Sequence, residues 1–202
     1  MATTQTIDIQ EFINARPFTR FQITVLIMCF LVVAADGFDT AAIGFIAPAL
    51  REQWNLTPPQ LSMLFVSGLA GLMVGAFVFG PIADRIGRKA VLIFSTLGFG
   101  LASIASAWAT NVEMLAVWRF VTGLGLGGAM PMAITLTSEY SPERSRSFLV
   151  TLMFCGFTIG GAFGGLAAAG IIAHYGWQGV LILGGVLPLV LAVVLVFMLP
   201  ES

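Results

Sequence analysis

Six long apolar runs, at residues 21–50, 61–83, 90–112, 114–138, 147–173 and 175–199, leave this chain little freedom in how it folds. Crossing the hydrocarbon core of a bilayer takes about 20 helical residues, so each run is long enough to span it. Backbone N–H and C=O groups in lipid must bond within their own segment or around a closed barrel. Runs of this length without period-2 alternation fit helices and exclude barrel strands. The composition agrees: 58% of the 202 residues are hydrophobic, 9% are charged and the mean hydropathy is +0.97, more apolar than a soluble domain requires. The sequence therefore predicts an all-α membrane protein of six transmembrane helices joined by short loops.

The basic residues orient these helices. Arg16 and Arg20 precede the first run, Arg85, Arg88 and Lys89 join the second to the third, and Arg144 and Arg146 join the fourth to the fifth. The alternate loops carry only Arg51. Seven against one places both termini, including the segment 1–20, in the cytoplasm. Trp54, Trp108, Trp118 and Trp177 all fall near the ends assigned to the outside, as an interfacial aromatic belt would. The first run also has features of a secretory signal, but Asp8 and Glu11 in its leader and the five runs that follow favour a retained helix. Cys29 and Cys155 lie within runs and read as small buried hydrophobes. His174 reads as an interfacial loop residue or a pH sensor.

Asp36 and Asp39 interrupt the first run, at i and i+3 on one helix face. An acid in mid-span costs about 2.5–3.5 kcal/mol on insertion scales and by default marks an ion, proton or substrate path. With a rise of 1.5 Å per residue, Asp39 sits about 16 Å and Asp36 about 21 Å from the outer end of the helix, near the midplane. Arg119, in the fourth run, sits about 8 Å from the same side. A buried arginine binds a carboxylate bidentately, whereas two close acids repel an anion until one is protonated. That asymmetry suggests a cycle in which protonation frees Arg119 for a substrate anion. Two structural alternatives stay open: a purely architectural network joining helices one and four, or an Arg119 that snorkels to the interface.

The loop after the second run reads Gly80-Pro81-Ile82-Ala83-Asp84-Arg85-Ile86-Gly87-Arg88-Lys89. Its glycines allow a helix end and a tight turn to approach neighbours closely, and Asp84 with Arg85, Arg88 and Lys89 offers pairing partners at the membrane surface. A plain positive-inside anchor needs only the basic residues. The string resembles the signature cytoplasmic loop of the major facilitator superfamily. Arg119 followed by Gly123-Leu124-Gly125-Leu126-Gly127-Gly128 is similar to that family's fourth helix. The same glycines satisfy Gly-x-Gly-x-x-Gly, but without the strand-turn-helix context that a dinucleotide needs. They read as helix-packing positions, as do Gly156, Gly160 and Gly164. Glu139 and, seven residues later, Arg146 also resemble the family pattern, which implies a cytoplasmic ion-pair network with Arg85 and Arg88 that latches one access state. Ordinary solvated loop charges are the alternative.

Asp36-Gly37-Phe38-Asp39, with Pro48 beyond it, resembles the Asp-Gly-x-Asp signature of the aromatic acid:proton symporters within that superfamily. The resemblance implies a six-helix amino-terminal bundle of two inverted three-helix repeats over residues 21–199, with the start of a central linker at 200–202. It further implies proton-coupled import of a benzoate- or hydroxybenzoate-type carboxylate across the bacterial inner membrane. On that reading Asp36, Asp39 and Arg119 couple proton and substrate, and Gly80, Asp84, Arg85, Gly87, Arg88, Lys89, Glu139 and Arg146 gate the cycle. The partners are the lipid bilayer, a small aromatic carboxylate with a proton, and a second six-helix half or another copy of the chain; no nucleic acid, metal or other cofactor is expected. The chain matches only the first half of such a transporter, so a non-transporting truncated remnant or assembly module is the competing class, and a sugar or other organic anion the competing substrate. No nucleophile-base or metal-ligand constellation suggests an enzyme.

Overall fold

The computed structural model describes residues 19–199; residues 1–18, with Arg16, and the expected linker start at 200–202 lie outside the described residues. Five helices follow one another: α1 (Arg20–Trp54), α2 (Pro58–Ile86), α3 (Arg88–Ser106), α4 (Val112–Glu139) and, after a 3-10 turn at Glu143–Ser145, α5 (Arg146–Met198). All five are long and apolar enough to cross a membrane, and no strand occurs among the described residues.

Local chemistry sets the ends. Thr19 and Gln22 form a capping box at the start of α1, and Thr57 with Gln60 repeats it at α2, where Pro58 occupies the first turn. Asn55 closes α1 in the left-handed region (φ 51°), and the Asn111 side chain accepts from the Met114 N–H at 2.7 Å to start α4. Gly87 ends α2 at φ 92°, a conformation that favours glycine, and α3 begins directly after it. The third apolar run overshoots its helix: α3 stops at Ser106, and residues 107–111 turn into the cap of α4 although several of them are apolar.

The last two runs are assigned to one helix with a break at Gly176 (φ 69°, ψ −176°). A straight helix of 53 residues would be about 80 Å long, and residues 164 and 184 would lie about 30 Å apart on it. Instead the Phe38 ring lies against both Gly164 and Gly184. The two arms of α5 therefore double back beside α1, the first running parallel to it, with Gly156, Gly160 and Gly164 against Phe30, Ala34 and Phe38. The second returns past Phe38 after Trp177 has packed on Trp54.

Bare glycine surfaces allow this close packing. A side chain at Gly37 would collide with the Phe157 backbone on α5, and one at Gly123 with the Gly68 backbone on α2. The second arm of α5 meets α3 at Gly100 and Gly185. Gly80 differs from its expected role: it lies within α2, which continues through Pro81 to Ile86, and a Cβ there would meet nothing within 4 Å. Gly87 also faces open space and is required for its φ, not for close approach.

The apolar interior falls into two groups. One gathers Val25, Val32, Leu92, Leu136 and Leu195 toward the Gly87 and Tyr140 end; the other gathers Ile46, Leu50, Leu115, Trp177 and Leu181 toward the tryptophan end. Asp36, Asp39 and Arg119 occupy the gap between them on α1 and α4. Outside, Met73, Phe77, Phe163 and Phe197 are exposed, as suits faces turned to lipid. Trp177 is not on such a face: it is 2% exposed and its indole N–H donates to Gln53 Oε1 at 2.7 Å.

Candidate functional site: a buried ion pair beside an apolar cavity

Asp39, one turn beyond Asp36 on α1, is fully buried, and so is Arg119 on α4. The guanidinium grips the carboxylate as a fork, with Nη2 2.8 Å from Oδ2 and Nη1 3.3 Å from Oδ1, while Nη2 also donates to the Asp39 carbonyl at 3.3 Å. On α3, Ser103 Oγ donates to Asp39 Oδ1 at 2.8 Å and lies 3.1 Å from the Leu181 carbonyl on the second arm of α5. Asp39 thus ties α1 to α4 and to α3. Buried charges persist only when paired and hydrogen-bonded, and this one has both kinds of partner. Arg119 does not snorkel.

Asp36 is held differently. It is 1% exposed; Thr40 Oγ donates to its Oδ1 at 3.1 Å, and Oδ2 has no partner among the described residues. No hydrogen bond or ion pair links Asp36 to Arg119 among those residues. The two acids therefore have different partners: Asp39 takes the cation and Asp36 takes a hydroxyl.

A cavity of about 100 Å³ opens beside this arrangement, between α1, α2 and α4. Thr40 and Arg119 are the polar side chains in its wall, which is otherwise apolar, with Ile43, Phe65, Leu69 and Leu126. Arg119 Nε is buried and has no partner among the described residues. A mostly apolar pocket with a cation in its wall favours an anion carrying an apolar body.

At the far end of α4, Arg88 Nη1 lies 3.0 Å from Glu139 Oε1, both side chains 37% exposed. Of the expected network this is the pair that forms among the described residues. Asp84 and Arg85 are exposed, Lys89 is half-buried, and Arg146 opens α5 with its Nε buried and unpartnered among those residues. Close by, Gln22 Nε2 donates to the Tyr140 carbonyl at 2.8 Å and Phe21 meets the Tyr140 ring edge-on, tying α1 to the end of α4.

Sequence reasoning missed Thr40 and Ser103. Thr40 had a signal, a hydroxyl one helical turn after an intramembrane acid. Ser103 had none, because its contact with Asp39 depends on how α3 crosses α1.

Comparison with known proteins agrees with this architecture. The model of the Major Facilitator Superfamily matches residues 29–202. The chain belongs to that superfamily and is an integral membrane protein. It is 55% identical to the 4-hydroxybenzoate transporter PcaK of Pseudomonas aeruginosa, over 97% of this chain and 44% of that protein. It is 47% identical to the gallate transporter of Pseudomonas putida, over 97% of this chain and again 44% of the relative. These relatives are named as transporters, not enzymes, and the chain spans a little under half their length. Among solved structures, the inward-open xylose transporter XylE from E. coli superposes with a TM-score of 0.77 at 21% identity, covering 90% of this chain and 49% of that one, a likeness of fold.

Proposed function

We propose that this chain provides the amino-terminal, six-span half (residues 21–199) of a proton-coupled symporter for an aromatic carboxylate of the benzoate or hydroxybenzoate type. The two arms of α5 make separate crossings, and both termini, with segment 1–20 and the linker beginning at 200–202, face the cytoplasm of a bacterial inner membrane. The observation that carries the reading is Arg119, a buried cation shared between Asp39 and an otherwise apolar cavity. Relatives named for 4-hydroxybenzoate and gallate transport support the substrate class.

In this mechanism the substrate carboxylate approaches Arg119 and the ring lies against Phe65 and its apolar neighbours. Protonation of Asp39 removes the charge that holds the fork and leaves the guanidinium for the incoming anion. Asp36 carries the second proton-binding carboxyl. Gly80, Asp84, Arg85, Gly87, Arg88, Lys89, Glu139 and Arg146 form the gating end, where the Arg88–Glu139 pair biases one access state. A second half, from a further polypeptide segment or another copy, closes the cavity.

The transporter that contains this chain, reconstituted in proteoliposomes, is expected to accumulate 4-hydroxybenzoate when the lumen is made more alkaline than the medium. Asp36→Asn and Asp39→Asn should abolish that accumulation. Undiminished pH-driven accumulation in both variants would sink the reading.

A further inference from the structure

We propose that Thr40 is the positioning residue that couples occupancy of the cavity to the proton on Asp36, its hydroxyl passing from the Asp36 carboxylate to an acceptor on the bound aromatic anion. The inference rests on the transporter reading above and adds to it a residue and the means of coupling. Each of the two acids reaches the cavity through one polar side chain: Asp39 through Arg119, Asp36 through Thr40. Thr40 is half-buried, lines the cavity and gives Asp36 its hydrogen bond.

A hydroxyl has one proton to donate, and threonine in a helix occupies either of two χ1 rotamers. When Thr40 turns to a ligand acceptor, Asp36 keeps neither a donor nor a cation. Arg119 stays with Asp39 or the substrate carboxylate. Apart from Arg119, the other helices bring charge near their ends among the described residues: Asp84 and Arg85 on α2, Arg88 and Lys89 on α3, Glu113 and Glu139 on α4, and Arg146 on α5, with His174 next to its bend. A buried carboxylate without donor or counter-charge is costly, and a proton on the unpartnered Oδ2 removes that cost. Ligand and proton therefore each tighten the other's binding, as linkage requires.

The test is a binding titration of 4-hydroxybenzoate to the purified transporter containing this chain, at acidic and at alkaline pH. The wild type is expected to bind about tenfold more tightly in acid, a typical coupling. In Thr40→Val, which keeps the shape and loses the donor, that ratio should fall to the part that Asp39 carries through Arg119, and in Thr40→Ser it should return. A Thr40→Val protein with the wild-type ratio, or a Thr40→Ser protein as uncoupled as Thr40→Val, overturns the inference. A measurement without mutation guards against misfolding: wild-type protein in weakly buffered detergent should take up protons on adding 4-hydroxybenzoate, and no uptake also overturns it. Absence of any 4-hydroxybenzoate binding or transport by the wild type instead removes the aromatic-carboxylate reading, and the inference falls with it.

Discussion

Two arginine–carboxylate pairs that involve α4, one two turns inside it and one at its last residue, have nearly the same closest approach and very different surroundings. Arg119 and Asp39 approach to 2.8 Å with side chains 4% and 0% exposed; Arg88 and Glu139 approach to 3.0 Å with both 37% exposed. Contact distance alone would rank them as equals. Burial separates them, because removing one partner in the interior leaves the other charge without water, whereas a surface partner is rehydrated. Breaking the first pair is thus costly and breaking the second is not.

The sharpest way to break this comparison is Arg119→Ala. It should lower stability by about 3–5 kcal/mol, because Asp39 is left charged and buried. Thermal unfolding in detergent measures this, and 4-hydroxybenzoate uptake should vanish. Arg119→Leu with Asp39→Asn removes both charges, so it should recover much of the stability while uptake stays absent. If the double variant transports, the pair is architectural and the site lies elsewhere.

A second test asks whether the interior pair depends on how α1 is seated. A methyl at Gly37 meets the Phe157 backbone, which cannot turn aside as a flexible side chain can. Gly37→Ala should cost about 1–3 kcal/mol as overpacking and reduce uptake, since α1 carries both acids. Gly98→Ala is the control, because a Cβ there meets nothing within 4 Å and unfolding should be nearly unchanged.

These contrasts mark what the chain's sequence conveys. The helical class follows from the apolar runs, because lipid leaves the backbone no other choice at such lengths. Asp36, Asp39 and Arg119 stand out because charge in an apolar run has few explanations. The partition among them is not legible: that Asp39 takes Arg119 while Asp36 takes Thr40 depends on helix rotation, and a spacing of three residues only places the acids on one face. The end of α3 is hidden for a related reason, since Ala107, Trp108 and Ala109 are apolar in a turn. The bend at Gly176 falls within three residues of the expected break between the last two runs, and the Phe38 ring against both Gly164 and Gly184 shows the two arms folded back as separate runs require.

The smallest expected effect concerns the exposed pair. Arg88→Ala, Glu139→Ala and the double variant form a cycle whose coupling should be about 0–1 kcal/mol and shrink as salt is added, since exposed charges are screened. Unfolding would barely register it. Uptake is more sensitive, because about 1 kcal/mol changes the ratio of two states roughly fivefold. If the pair biases one access state, Arg88→Ala and Glu139→Ala should change the initial uptake rate in the same direction, with the double variant no more affected than either. Changes in opposite directions, or effects that add, would mean that each residue acts through another partner. Glu139 and Arg88 would then be solvated end charges, and the gating role would pass to Arg85, Lys89 or Arg146.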